Sequence, residues 1–281
     1  MKKYSIITSL FNSINFIDKY FENIFSQISP PDEIILVDDG LNGNISEIIN
    51  QKKLLYNFKE IILITNDKNL GLGLSLNKAL KHCKNNLIFR LDADDDWIPN
   101  HTNKMINFYK KDSSFLIYAE SLKKKSLIND IKCDYFLINE NSTIHSSWLI
   151  NRNIYLKFKY HITNPKIALE DYFTLFWCVH KNYKIFISYN EISTVYNDTF
   201  GSLGKRYSNH PSYLKNRKKI SIFFFTNQLN KRNFFSKIYF LLFDYGLIKF
   251  TILILWTLDY LRIKYFFKKL KNFNSNKNIK F

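Results

Sequence analysis

The chain has 281 residues, 46% of them apolar and 17% aromatic, with only 7 Gly and 5 Pro. That composition excludes collagen-like, low-complexity and disordered chains, and the length suits one large or two modest domains. The net charge of +17 is unevenly placed: residues 1–200 carry 24 Lys/Arg against 22 Asp/Glu, residues 201–281 carry 17 against 2, so a nearly neutral body precedes a basic appendage suited to an anionic partner.

Taken in chain order, Tyr4–Leu10 (YSIITSL) is a β-branched apolar run entering a polar turn, which predicts a buried strand. Phe16, Ile17, Tyr20, Phe21, Ile24, Phe25 and Ile28 follow at helical spacing until Pro30-Pro31 stops them. Glu33–Val37 predicts a second strand ending at Asp38-Asp39-Gly40, Ile45–Leu55 a second helix, and Glu60–Thr65 a third strand. Beyond the loop 66–70, Leu74, Leu76, Ala79, Leu80 and Cys83 suit a helix, and Leu87–Leu91 predicts a fourth strand closed by Asp92-Ala-Asp-Asp-Asp96. Further on the pattern is less regular. Strands are expected at Ser114–Ala119, His145–Ile150, Tyr183–Ser188 and Ile192–Tyr196, with an apolar helix over Leu169–His180.

Alternating strands and helices with almost continuously apolar strands predict an α/β fold, a parallel sheet covered on both faces. Ligands bind such sheets outside the carboxyl ends of the strands. Polar clusters fall at those ends: Thr8 to Asn12, Asp38-Asp39, Asn66 to Gly71, and Asp92 to Asp96.

Several chemistries are excluded. A dinucleotide-binding enzyme needs a Gly-rich turn after the first strand, and here that turn reads TSLFNSIN; no GxxxxGK[ST] occurs either. Cys83, Cys133 and Cys178 form no CxxC pair and no disulfide framework, which fits a reducing compartment. A strand starting at Tyr4 leaves no room for a signal peptide.

The strand ends offer carboxylates instead. Asp92, Asp94, Asp95 and Asp96 repel one another unless a cation compensates, and hard ions such as Mg2+ or Mn2+ accept carboxylate oxygens while keeping substrate phosphates. A solvated acidic loop or a helix N-terminus would use the same residues. The ligand run of a calcium loop is missing.

Taken together, the motifs SIITSLFN, EIILVDDG, NLGLGLSLNKAL, LIFRLDADDDWIP, HSSWLINR, ALEDYFTLFW and STVYN resemble, in order and spacing, the family 2 glycosyltransferases. These have the GT-A fold and include the bacterial enzymes of exopolysaccharide and lipopolysaccharide side chains. The resemblance covers roughly residues 4–200 and implies a GT-A catalytic domain there, with residues 1–96 as nucleotide-binding half and 97–200 as acceptor half. It implies an inverting sugar transfer from a UDP-sugar donor to a lipid-linked or polysaccharide glycan acceptor, with Mn2+ or Mg2+.

The resemblance also assigns residues. It puts Thr8 and Asn12 by the nucleotide, has Asp39 beside Asp38 accept the N3–H of uracil, and lines the pocket with Asn69 and Gly71. Arg90 would hold the Asp cluster or a phosphate, Asp92 would face the ribose or the metal indirectly, and Asp94 would be the main metal ligand. Neighbouring helical residues diverge by about 100°, and the resemblance makes Asp171 the general base and Glu170 the residue orienting acceptor or base. One departure stands out. Where many relatives close with a Tyr-Arg-x-His-like segment, this chain has Tyr196-Asn197-Asp198-Thr199. His210 is a conceivable substitute and His145 a conceivable acceptor contact.

Residues 217–281 alternate basic and aromatic-aliphatic blocks. The longest uncharged stretch between Lys237 and Lys268 is Phe250–Leu258, too short to span a bilayer. Lys237, Asp244, Asp259, Arg262 and Lys269 share one side of a helical wheel whose remainder is apolar, which suits helices lying on an anionic membrane surface. Two helices packed on the body would give the same pattern, whereas a nucleic-acid partner fits poorly because the aromatics sit in aliphatic runs. The expectation is a transferase peripheral to the inner face of the cell membrane. A catalytically inactive assembly scaffold is the alternative, and a nucleotidyltransferase a weaker one.

Overall fold

The computed structural model describes residues 2–40, 43–121, 143–152, 170, 171, 174, 175, 178, 183–188, 192–195 and 197. Cys133, Tyr196, Asp198, Thr199, His210 and the basic tail 201–281 lie outside them, so the domain boundary near residue 200 and the tail's docking remain expectations.

Strand β1 (Tyr4–Leu10) runs into a single 3-10 turn at Ile14–Phe16 and helix α1 (Ile17–Phe25). Strand β2 (Glu33–Asp38), helix α2 (Ile45–Leu55), strand β3 (Ile61–Thr65), helix α3 (Leu72–His82) and strand β4 (Leu87–Arg90) follow as the periodicity predicts. The first helix stops before Ile28, which is exposed. Two elements were not anticipated: a two-residue strand β5 (Asp96–Trp97) and helix α4 (His101–Lys111). The signal for α4 is present but weak: His101, Thr102, Met105, Ile106 and Tyr109 share its buried face, and two of those five are polar. Strands β6 (Phe115–Ser121), β7 (Thr143–Asn151), β8 (Lys184–Ser188) and β9 (Thr194–Val195) complete the described strands, and residues 170, 171, 174, 175 and 178 are helical.

Seven strands form one sheet in the order β3-β2-β1-β4-β7-β6-β8, and β5 pairs with β9 apart from it. Every pairing in the large sheet is parallel except those of β7, which runs against both β4 and β6. The expected parallel-dominated α/β sheet is therefore present. Strand β2 is buried along its whole length, as a central strand covered on both faces must be. One face packs Tyr4, Ile6, Ile34, Leu36 and Phe89 against Tyr20, Phe21 and Ile24 of α1 and Met105 of α4. Helix α3 packs on β1 and β2, with Leu76, Ala79 and Leu80 buried.

A buried polar network fastens the segment leading into β9. The Glu120 carboxylate, fully buried, accepts from the Ser193 and Thr194 amides, the Ser193 hydroxyl and Lys104 Nζ. Since Ser193 directs its proton to Glu120, it accepts from His101 Nδ1 at 2.8 Å. The His101 ring stacks on Trp97 at 4.6 Å. Burial pushes the His101 pKa down to about 3.

That shift carries a sign. The folded value lies below the unfolded value of about 6.5, so His101's contribution is complete above pH 6.5 and is lost as pH falls toward 3. Replacing it by His101→Phe, which keeps a ring against Trp97, should flatten the dependence of the urea midpoint on pH between 6.5 and 4. The slope removed is at most about 1.4 kcal/mol per pH unit. Equal slopes in variant and wild type would show that His101 does not resist protonation.

Candidate active site

The carboxyl ends of the parallel strands lie level. Leu10 pairs with Asp38 and Asp38 with Thr65, and the chain remains tied beyond them: Asp39 N–H donates to Leu10 O and Asn66 N–H to Asp38 O, each at 2.8 Å. The buried Asp39 carboxylate then organises the next loop. It accepts from Leu70 N–H at 2.7 Å, Gly71 N–H at 2.9 Å and Asn66 Nδ2 at 2.8 Å. Asn66 also donates to Ser75 and accepts from Lys78. Gly71 opens α3 with φ +88° and ψ 157°, a conformation reserved to glycine, and its amide also donates to Asn69 Oδ1 at 2.9 Å. Asp39, Asn69 and Gly71 thus form one structure. Three of the four acceptor positions of the Asp39 carboxylate are occupied within the loop, and Oδ2 keeps one.

Thr8 has no exposed surface. Its hydroxyl donates to Leu91 O at 2.8 Å and accepts from Tyr20, so its side chain supports the turn before Asp92 from inside the core. Asn12 is exposed, with a left-handed φ of 51°.

The second cluster follows β4. Arg90 closes that strand almost completely buried, its guanidinium donating to Asp92 and, at 3.0 Å, to the Ser146 hydroxyl. Ser146 Oγ also accepts from Asp92 N–H at 3.2 Å and donates to Asp95. Trp97 Nε1 donates to Ser146 O at 2.8 Å. From the other side Asn197 N–H donates to Asp95 at 3.0 Å, and Asn197 Nδ2 donates to Asp94 O at 2.8 Å and Asp96 at 2.9 Å. Asp96 further pairs with Lys19.

Asp92, Asp94 and Asp95 each present a carboxylate oxygen within 4.8 Å of the others. Burial raises the pKa of Asp92 against the lowering by Arg90, with Asp94 adding to the rise; burial and then Asp92 raise that of Asp95. Oxygen donors held this close and disfavoured as anions fit a hard divalent cation, which would relieve their repulsion.

The helical residue Glu170 faces the same region. Its Oε1 lies 3.8 Å from His145 Nδ1, and burial followed by Asp171 pushes its carboxyl up, with Arg90 and Asp92 near enough to act on it. Burial and Arg90 in turn keep His145 neutral. Asp171 is half-buried beside it. The structure therefore brings Arg90, Asp92 and Asp94 together, sets Glu170 against His145 within electrostatic reach of Arg90 and Asp92, and gathers Asp39, Asn69 and Gly71 where the segments after β2 and β3 meet. Sequence reasoning missed the tethers Ser146, Trp97 and Asn197 and the part of Asp95. Ser146 falls opposite Asp92 when the β4–β7 register, in which Phe89 pairs with Leu149, is extended by three residues, and no local sequence pattern carries that register.

The glycosyl transferase family 2 model matches residues 5–160. An Escherichia coli UDP-Gal:alpha-D-GlcNAc-diphosphoundecaprenol beta-1,3-galactosyltransferase is 28% identical over 120 residues, and the match spans 42% of each chain. Staphylococcus aureus TarS 1–349 in complex with UDP-GlcNAc superposes with a TM-score of 0.64 at 15% identity, over 85% of this chain and 70% of that one. The mannosyltransferase PcManGT of Pyrobaculum calidifontis, in complex with GDP-Man and Mn2+, gives 0.59 at 14% identity, over 82% and 65%. The two structural likenesses show the GT-A fold.

The loop anchor is testable. Asp39→Asn replaces one of the two accepting oxygens, so one of the two backbone amides loses its carboxylate partner, a loss of about 1–3 kcal/mol, and at least one of Leu70 and Gly71 should exchange amide hydrogen about tenfold faster or more while β1 and β4 keep their protection. Unchanged exchange at both amides would show that the loop does not depend on the carboxylate.

Proposed function

The chain belongs to glycosyl transferase family 2, and we propose that it moves a sugar from a UDP-sugar to a lipid-linked or polysaccharide glycan acceptor, inverting the anomeric centre. The observation that carries this reading is the trio Asp92, Asp94 and Asp95 at the carboxyl end of β4. The E. coli relative named for a diphosphoundecaprenol-linked acceptor and the S. aureus structure holding UDP-GlcNAc support the choice of substrates. The basic tail 201–281, with 17 basic and 2 acidic residues, suits an anionic membrane surface on the cytoplasmic side, where a lipid-linked acceptor is presented. Among the described residues no helix is long and apolar enough to cross a membrane.

In this mechanism Asp171 takes the proton of an acceptor hydroxyl, whose oxygen forms the new bond to the anomeric carbon. The bond from that carbon to UDP breaks on the opposite face, and its electron pair leaves with the diphosphate. Glu170, carrying its proton because burial raises its pKa, orients the acceptor or the base. Asp39 meets the uracil N3–H with the acceptor position left on Oδ2, and Asn69 and Gly71 line the nucleotide pocket, Gly71 by admitting close backbone approach. Asn12 and the Thr8 backbone lie by the same nucleotide. Arg90 fixes Asp92, which faces the ribose, and Asp94 is the chief ligand of Mn2+ or Mg2+. A bound ion supplies Lewis-acid stabilisation of charge on the diphosphate. Asn197 stands where the resemblance would put Arg, and its bonds to Asp94, Asp95 and Asp96 give that departure a use. This favours the enzyme over an inactive scaffold.

Incubation with a panel of UDP-sugars, Mn2+ and a diphosphoprenol-linked glycan should release UDP. Asp171→Asn should lower transfer by about 10²–10⁴-fold with UDP affinity nearly unchanged. Wild-type turnover in that variant would remove Asp171 as base; release of pyrophosphate would indicate a nucleotidyltransferase, and absence of any release a scaffold.

A further inference from the structure

The hydroxyl of Ser146 is used to its full valence. It has one proton and two lone pairs, and it meets four polar atoms: Arg90 Nη1 at 3.0 Å, Asp92 N–H at 3.2 Å, Asp92 Oδ2 at 3.4 Å and Asp95 Oδ2 within a short hydrogen bond. The two N–H groups fill the lone pairs, so the single proton is all that remains between two carboxylates. It goes to Asp95, the nearer. Asp95 then has a protein donor on each oxygen, Ser146 on Oδ2 and the Asn197 amide on Oδ1. Asp92 is held on Oδ1 by Arg90. The serine is itself fixed at its backbone by Trp97, on the one strand that reverses direction beside β4.

We propose that Ser146 is the positioning residue of the divalent-cation site, its hydroxyl setting the separation of the Asp92 and Asp95 carboxylates. This rests on the cation reading given above. Ser146 itself touches neither ion nor sugar. Its removal leaves Arg90 and Asp95 each short of a partner and lets the two carboxylates drift to separations that suit protein donors less and an ion poorly. Groups that orient metal ligands in this way typically change metal affinity by about 10–100-fold when lost.

The test is Mn2+ binding alone, followed by electron paramagnetic resonance of the free ion, on the full-length chain with and without UDP. Ser146→Ala should weaken Mn2+ binding about 10–100-fold. Ser146→Thr and Ser146→Val have equal bulk and differ only in the hydroxyl; Thr should bind within about threefold of wild type and Val should bind as weakly as Ala. The Thr/Val pair carries the comparison even if the alanine variant does not fold. Thr and Val binding Mn2+ equally, or Ala binding as wild type does, would overturn the positioning role while leaving the cation site standing. A wild-type chain that takes up no Mn2+ would instead overturn the cation reading and the inference with it.

Discussion

Three carboxylates with oxygens inside 4.8 Å of one another set the constraint that the surrounding structure answers. At an effective dielectric near 20, each pair of charges at that separation costs roughly 3 kcal/mol, and burial of Asp95 adds a desolvation penalty. The protein balances this with oriented donors from several parts of the chain. Arg90 comes from β4, Ser146 from β7 and Asn197 from beyond β9. Each hydrogen bond to a charged group contributes about 1.5–3 kcal/mol, so the cluster is tolerable in its free state yet keeps the raised pKa values that mark incomplete compensation. A divalent cation would complete it.

The topology makes those donors available. Parallel strands bring Leu10, Asp38 and Arg90 to one edge of the sheet, and the reversed β7 returns across that edge so that Ser146 arrives beside Asp92. The small β5–β9 sheet does the same for Asn197, and the buried Glu120 network holds the chain just before it. Arg90, Ser146 and Asn197 thus hold the acidic turn from three separate parts of the chain. The Asp39 carboxylate fastens the loop after β3 in a similar way, through the Leu70 and Gly71 amides.

Much of the frame was legible in the residues. Strands β1 to β4 are short, mostly apolar runs that give way to polar residues, and α1 and α3 show helical spacing, so pattern located them; α2 is less regular, with Leu54 and Leu55 exposed. Helix α4 escaped because its buried face includes His101 and Thr102, whose burial depends on Ser193, Gln27 and the Trp97 ring. The Asp cluster was visible as composition, but its tethers lie 51 and 102 residues away in sequence from Asp95. Only strand register reveals such partners. Thr8 and Asp39 illustrate a further limit: a polar residue at a strand tip reads as ligand-facing, although the core or an adjacent loop can occupy most of its hydrogen-bonding capacity.

The account stands or falls on whether the aspartates couple a cation to the donor's diphosphate. Calorimetric titration of the full-length chain with UDP, in the presence and absence of Mn2+, measures that coupling directly. Mn2+ should strengthen UDP binding by about tenfold or more, and Asp94→Asn should erase the difference. UDP binding equally well with and without the ion, in a chain that stays folded, would contradict the account.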